Sequence, residues 1–252
     1  MPIPTGTYLD SCNGGAQSYR TYQAFINPSP CGQNDKDIVY ESEVQVLDDP
    51  LGTRRGRILK HYAYTYKPNN GEHHGFIFAS GPGEPYLCGA GDCWFGALYY
   101  FPVAFNGGPG VARMLINGSQ GSATAGPYIY LSQPAPGAVA PTERYNRIFF
   151  GTQEANSGIP IVTGKWIALR LHTPTGNNAK VTLWVTDLDG NPLVPGAATS
   201  ITTTYSSIPG NVTKVKFGSD SEPDEIPTPN FYWYQDNMYV AAQAADPGIW
   251  KE

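Results

Sequence analysis

The chain has 252 residues, 40% of them hydrophobic and 15% charged, with a formal net charge of −5. That balance offers no electrostatic footprint for a phosphate backbone, so nucleic acid is not an expected partner, and no apolar run reaches the length of about eighteen residues that membrane insertion as a helix needs. With 29 glycines and 23 prolines the sequence disfavours long helices and favours many short strands punctuated by turns, and its length suits one large β core.

Residues 1–252 are therefore expected to form a single domain, with 1–38 a loop-rich segment packed on it. The start, Met1-Pro2-Ile3-Pro4-Thr5-Gly6, has neither a basic stretch nor an apolar run, so no secretory signal is expected in it. Cys12, Cys31, Cys88 and Cys93 allow three pairings. Cys88 and Cys93 flank the turn Gly89-Ala90-Gly91-Asp92 and suit a short disulfide loop, with Cys12 and Cys31 as the complementary bridge; four reduced thiols are the alternative. No second closely spaced Cys/His pair completes a zinc tetrahedron, and no metal site is expected among the cysteines and histidines.

Alternation of period two marks strands at Val39 to Leu47, Arg57 to Lys67, His74 to Ser80, Trp94 to Phe101, Val111 to Asn117 and Tyr128 to Gln133. It continues at Arg144 to Phe150, Lys165 to Thr173, Lys180 to Thr186, Ser200 to Tyr205, Val212 to Phe217 and Phe231 to Ala241. These runs predict an all-β, two-sheet antiparallel β-sandwich with very little helix. Two long stretches, Gln133 to Glu143 and Gln153 to Gly164, read as loops of the kind that often carries function.

The chemistry-bearing side chains follow from the alternation. In the first basic strand Lys60, Tyr62, Tyr64 and Tyr66 share a face with Ile58, while His61 lies opposite with Leu59 and Ala63. From Lys165 to Thr173 the aliphatic face, Ile167, Leu169 and Leu171, belongs in the core. Trp166, Ala168, Arg170 and His172 then lie on the other face, which is either covered by loops or forms a groove for glycans. The last strand places Tyr232, Tyr234, Asp236, Met238 and Val240 on one face, against Phe231, Trp233, Gln235, Asn237 and Tyr239. Tyrosines at i and i+2 with a carboxylate at i+4 can stack on pyranose rings and bind their hydroxyls, or supply a phenolic acid or base. The alternative role for Asp236 and Asn237 is to cap neighbouring backbone. The 17 tyrosines against 10 phenylalanines strengthen the sugar-facing expectation.

Other candidates are thinner. Glu41 and Glu43 share a strand face but lack the spacing of a hydrolase carboxylate pair. Asp187-Leu188-Asp189-Gly190-Asn191 has oxygens suited to a structural calcium, although Asp-Gly after a strand is first a hairpin turn. His73 and His74 point to opposite sheet faces and do not ligate one ion easily. No other cofactor is expected.

Four pieces then carry a resemblance. Trp94-Phe95-Gly96-Ala97-Leu98-Tyr99-Tyr100-Phe101-Pro102, Gly164-Lys165-Trp166, Leu183 to Gly190, and Tyr234-Gln235-Asp236-Asn237-Met238-Tyr239-Val240 occur in an order similar to the concanavalin A-like jelly roll of laminin-G-type modules and of heparin- and alginate-lyase-like polysaccharide lyases. The resemblance spans about Asp92 to Val240. It implies a jelly roll of the kind that faces polysaccharide; with the strand faces read above, the expected glycan contacts are Lys60, Tyr62, Tyr64, Trp166, His172, Tyr232, Tyr234 and Asp236. Together with the expectation of no secretory signal and the tyrosine-rich composition, it leads us to expect a non-catalytic carbohydrate-recognising or structural protein. The expected setting is a bacteriophage virion, as a minor tail or capsid-surface component beside other virion proteins or further copies of itself; an extracellular location is the other expectation. A polysaccharide lyase is the alternative, with Lys60 neutralising a uronate carboxylate and Tyr62, Tyr64, Tyr232 or Tyr234 handling the C5 proton. The glutamine-x-histidine and tyrosine-phenylalanine-lysine-alanine-glycine strands of alginate lyases do not occur in this sequence.

Overall fold

A computed structural model of the chain describes residues 7–10, 44–53, 57–62, 72–79, 91–102, 112–120, 127–132, 145–150, 153–160, 162–208, 212–221 and 232–248. Those residues contain no helix and fourteen strands. In chain order they are β1 (Thr7–Asp10), β2 (Val44–Asp48), β3 (Arg57–Tyr62), β4 (Glu72–Ala79), β5 (Asp92–Tyr100), β6 (Ala112–Gln120) and β7 (Pro127–Ser132). They continue as β8 (Tyr145–Phe150), β9 (Gln153–Pro160), β10 (Trp166–Pro174), β11 (Gly176–Thr186), β12 (Ser200–Ile208), β13 (Val212–Ser221) and β14 (Tyr232–Ala241).

The strands form an eight-stranded sheet in the order β12-β11-β10-β5-β14-β3-β2, with β1 on the free half of the β14 edge, and a six-stranded sheet in the order β4-β13-β6-β7-β8-β9. Every pairing among them is antiparallel. The sheets meet where β12 approaches β9 and β13 approaches β3. This is the two-sheet antiparallel sandwich that the alternation predicts, in the jelly-roll form that the resemblance implies.

Period-two patterning places the core. Ile167, Leu169 and Leu171 of β10 are buried, as are Phe95, Ala97 and Tyr99 of β5 and Val181, Leu183 and Val185 of β11. The registers Ile167↔Tyr99, Leu169↔Ala97 and Leu171↔Phe95 set them side by side. Each aliphatic side chain so buried contributes about 1.5–3 kcal/mol of transfer free energy. The central strands are also buried on their second face: β5 is covered from Cys93 to Tyr99 and β14 from Trp233 to Ala241.

Two expectations change. Thr7–Asp10 pairs with β14 although it lies in the segment read as loop-rich. Gln153–Pro160, read as a loop, is strand β9. Asn, Ser, Gly and Pro weaken its strand pattern, but β9 is the last strand of its sheet, and an edge tolerates a proline that has no N–H to give.

A third change decides the site. Asp236 pairs with Leu98 and Tyr239 with Gly96, so β14 uses three steps where β5 uses two. The extra residue is a β-bulge, and Asn237 takes it with a left-handed φ of 46°. Strict alternation sets Tyr239 with Trp233; the bulge instead turns Tyr239 and Ala241 to the face of Tyr234, and Val240 pairs with Phe95 of the core row. The Tyr239 ring then lies directly on Gly96, where any Cβ would fall on ring atoms.

This packing is testable in two ways. Gly96→Ala must displace the Tyr239 ring, and urea unfolding should register a loss of about 1–3 kcal/mol; unchanged stability would show that the ring does not rest there. Burial also pushes the Tyr99 phenol well above its ordinary value near 10 and that of Tyr205 to about 12. Unfolded phenols ionise near pH 10 while these stay neutral in the fold, so their contribution is complete below that pH and is lost as pH rises toward about 12. Stability measured at about pH 9 should exceed that at about pH 11 by about 1 kcal/mol or more, with Tyr205→Phe reducing the difference. Equal stability at the two values would contradict the placement.

Candidate functional site

Strand register brings the sequence-predicted residues onto one face of the larger sheet, the face turned away from the aliphatic core. Tyr234 of β14 pairs with Lys60 of β3 on one side and Tyr100 of β5 on the other, and Tyr100 pairs with Trp166 of β10. Farther along the same strands His172 pairs with Trp94 and with Thr182 of β11, which pairs with Thr202 of β12. Between these rows Arg170 pairs with Gly96 and with Trp184. The face therefore has two ends, and the predicted residues divide between them.

At the first end Lys60 places its Nζ 4.3 Å from the centroid of the Tyr232 ring. Tyr232 meets Tyr234 edge-on at 5.7 Å, Tyr234 lies 6.2 Å from Tyr100, and Tyr100 lies 5.7 Å from Trp166. Lys60, Tyr100 and Tyr232 are half-buried, whereas Trp166 and Tyr234 are 5% and 7% exposed and Asp236 is 2% exposed. The cover comes from the turn after β2. Asp49 accepts the backbone N–H groups of Leu51 at 2.8 Å and Thr53 at 2.6 Å, and Gly52 supplies the positive φ of 63°. Thr53 Oγ1 then accepts the Trp166 indole N–H at 2.8 Å, and Leu51 and Leu188 pack on the cluster of Ile58, Leu98, Trp166, Ala168 and Tyr234.

Of the expected glycan contacts, Trp166, Tyr234 and Asp236 are thus nearly covered, in a layer beneath the more accessible Tyr232 and Tyr100 rings. Asp236 accepts the Asn237 backbone N–H at 2.8 Å and caps the bulge, the second of its two expected roles. Tyr62 lies opposite Tyr232 in the register. Tyr64, Glu41, Glu43, Cys12, Cys31 and Cys88 lie outside the described residues. Cys93 is disulfide-bonded.

The second end was mostly invisible in the sequence. Trp94 stacks on His172 at 4.6 Å and on Trp184 at 5.2 Å. His172 Nε2 lies 2.7 Å from Asp92 Oδ1, the two side chains being 19% and 34% exposed. Thr182 and Thr202 join hydroxyls at 2.8 Å in an exposed position beside them. Trp184 is half-buried, with the Arg170 guanidinium 5.8 Å from its ring centroid, and Arg170 donates to Asp246 at 2.7 Å. Of this group only His172 was singled out. Trp184 alternates correctly in its strand, but its meeting with Trp94 depends on a register across three strands. Asp92 reaches His172 only because β5 and β10 pair through to Pro174↔Asp92.

Half-buried rings beside hydroxyl, carboxylate and cationic groups can stack on the apolar faces of pyranoses while their hydroxyls are hydrogen-bonded at the ring edges. The Asp187 turn is differently occupied: Asp187 Oδ1 accepts the backbone N–H groups of Asp189 at 2.9 Å and Asn191 at 2.8 Å. Among the described residues no group of His, Cys, Asp and Glu is arranged to hold a metal ion.

No family model matches the sequence, and comparison with curated proteins gives no significant match. Solved structures do match in fold. An alginate lyase of the PL-14 type from Aplysia kurodai gives a TM-score of 0.54 at 12% identity over 81% of this chain and 88% of that one. An endo-β-1,4-glucuronan lyase from the fungus Trichoderma reesei gives 0.52 at 11% identity over the same shares. The binding domain of botulinum neurotoxin DC in complex with SialylT gives 0.46 at 12% identity over 83% of this chain and 44% of that one. At such identities the likeness to the two lyases establishes the jelly-roll fold alone.

Proposed function

We propose that this chain recognises polysaccharide through the outer face of its larger sheet. The observation that carries the reading is a single sheet face on which half-buried rings, Tyr232, Tyr100 and Trp184, stand beside polar partners, Lys60, His172 and Asp92. A glycan chain lying across it meets ring faces for its C–H surfaces and charged or hydroxyl groups for its edges. A glycan array that includes acidic and neutral polysaccharides tests this directly. The chain should bind at least one class, and Tyr232→Ala and Trp184→Ala should each weaken that binding about three- to tenfold. Absence of binding, or equal binding by both variants, would contradict it.

A second reading, a β-eliminating lyase, is favoured by one further geometry: Lys60 and Tyr232 are brought together across the β3–β14 pair, beside Tyr234. Elimination needs a cation to neutralise the uronate carboxylate, a base to take the C5 proton and an acid to protonate the leaving O4 as the C4–O bond breaks and the C4=C5 double bond forms. Lys60 supplies the cation, and the Tyr232 side chain accepts the C5 proton as phenolate and returns it as phenol to the leaving O4. The fold shared with two polyuronate lyases selects the substrates to try. On alginate or glucuronan, release of unsaturated uronate that falls at least about a hundredfold in Tyr232→Phe supports the lyase; no product from either substrate removes it.

The virion setting, with other particle proteins or further copies of this chain as neighbours, is proposed as the context in which a tyrosine-rich recognition face meets a host glycan. Proteomics of purified particles would find the chain in them, and absence from particles counts against this setting.

A further inference from the structure

The chain after β14 does not leave the sheet. Ala241 lies opposite Trp94 on β5, yet five residues later Asp246 reaches Arg170 on β10, so the segment crosses back over β5 on the outer face. Asp246 is held ready for this by its own turn, its Oδ1 accepting the Gly248 backbone N–H at 2.9 Å while Oδ2 receives Arg170 at 2.7 Å. The Arg170 side chain is 9% exposed and that of Asp246 28%, which makes the carboxylate the outer partner, on a segment of exposed and half-buried residues. The Arg170 guanidinium lies 5.8 Å from the Trp184 ring centroid, and the Tyr239 ring lies on Gly96, the β5 residue opposite Arg170, with its hydroxyl fully buried and without a hydrogen-bond partner. Burial raises the Tyr239 phenol well above its ordinary range, the Asp246 carboxylate raises it further and the Arg170 guanidinium lowers it, so that hydroxyl sits within the field of both charges.

We infer that Arg170, Trp184 and Tyr239 form a seat for the carboxylate of an acidic sugar, which Asp246 of the chain's own C-terminal segment occupies as an internal competitor. Arg170 meets a carboxylate with fixed donors, Trp184 offers an aromatic face at its side, and the Tyr239 hydroxyl has an unused donor within reach of the site. A uronate entering the seat exchanges one carboxylate for another, and the strap of residues 242–248 lifts as it does so. This deepens the polysaccharide reading, on which it rests, by naming the ligand class and a built-in restraint on it.

The test uses the full chain with sodium glucuronate as probe and glucose as the neutral control, following the Trp184 indole N–H signal. Asp246→Asn should bind glucuronate about tenfold more tightly than the unsubstituted chain, because the competitor's charge is gone. Asp246→Ala should do the same, glucose should show no gain, and adding Arg170→Gln to Asp246→Asn should abolish the gain. Asp189→Asn, an equal change of net charge in the exposed Asp187 turn, should leave affinity unaltered. Equal glucuronate affinity with and without Asp246, or an equal gain for glucose or from Asp189→Asn, would overturn the inference. If the unsubstituted chain binds polysaccharide but removal of Asp246 brings no gain, the seat fails and the recognition reading stands. If Asp246→Asn gains glucuronate while no polysaccharide binds, the seat stands and the broader reading fails.

Discussion

The pairing of β5 between β10 and β14 is the constraint on which everything else depends. Its register with β10 runs unbroken from Trp166↔Tyr100 to Pro174↔Asp92. A slip of one residue would turn Ile167, Leu169 and Leu171 outward and drive Trp166, Arg170 and His172 between the sheets. Burying an arginine and a histidine against Phe95 and Leu183 costs far more than the correct register, so the aliphatic core itself selects which side chains face out.

What the outer face becomes is set by three local devices. The bulge at Asn237 redirects Tyr239 and Ala241, and the glycine at position 96 leaves room for the Tyr239 ring. The Asp49–Thr53 turn closes over Trp166, and the Lys165 side chain, which donates to the Leu193 carbonyl, ties the start of β10 to the segment after β11. Residues 242–248 close over the middle through Asp246 and Arg170. Together these leave two partly open ends on an otherwise covered sheet, each a set of rings with charged or hydroxyl neighbours.

The fold was legible because alternation is local. All twelve sequence-read runs overlap observed strands, and the Lys165 to Thr173 run gave the core face correctly. β9 was missed because its composition suits an edge rather than an interior strand. Lys60, Tyr232 and Tyr234 were each legible on a face fixed by alternation in their own strand, but that Lys60 stands beside the two tyrosines follows only from the β3–β14 register. Tyr239 was assigned to the wrong face because a bulge breaks the two-residue period and Asn237 is a weak signal for one. Asp92, Trp184 and Asp246 could not be tied to His172, Trp94 and Arg170 from the sequence, since those contacts join residues far apart in the chain and exist only once the sheet order is known.

The central proposal is that a sheet whose inner face is used up by the core presents rings and charges outward for a glycan. Amide chemical-shift mapping of the isotopically labelled chain with a uronate oligosaccharide addresses it most directly. The account predicts that perturbations concentrate on β3, β5, β10, β11 and β14 around Tyr232, Tyr100, His172 and Trp184. Perturbations confined to the smaller sheet, β4, β13 and β6 to β9, would contradict it.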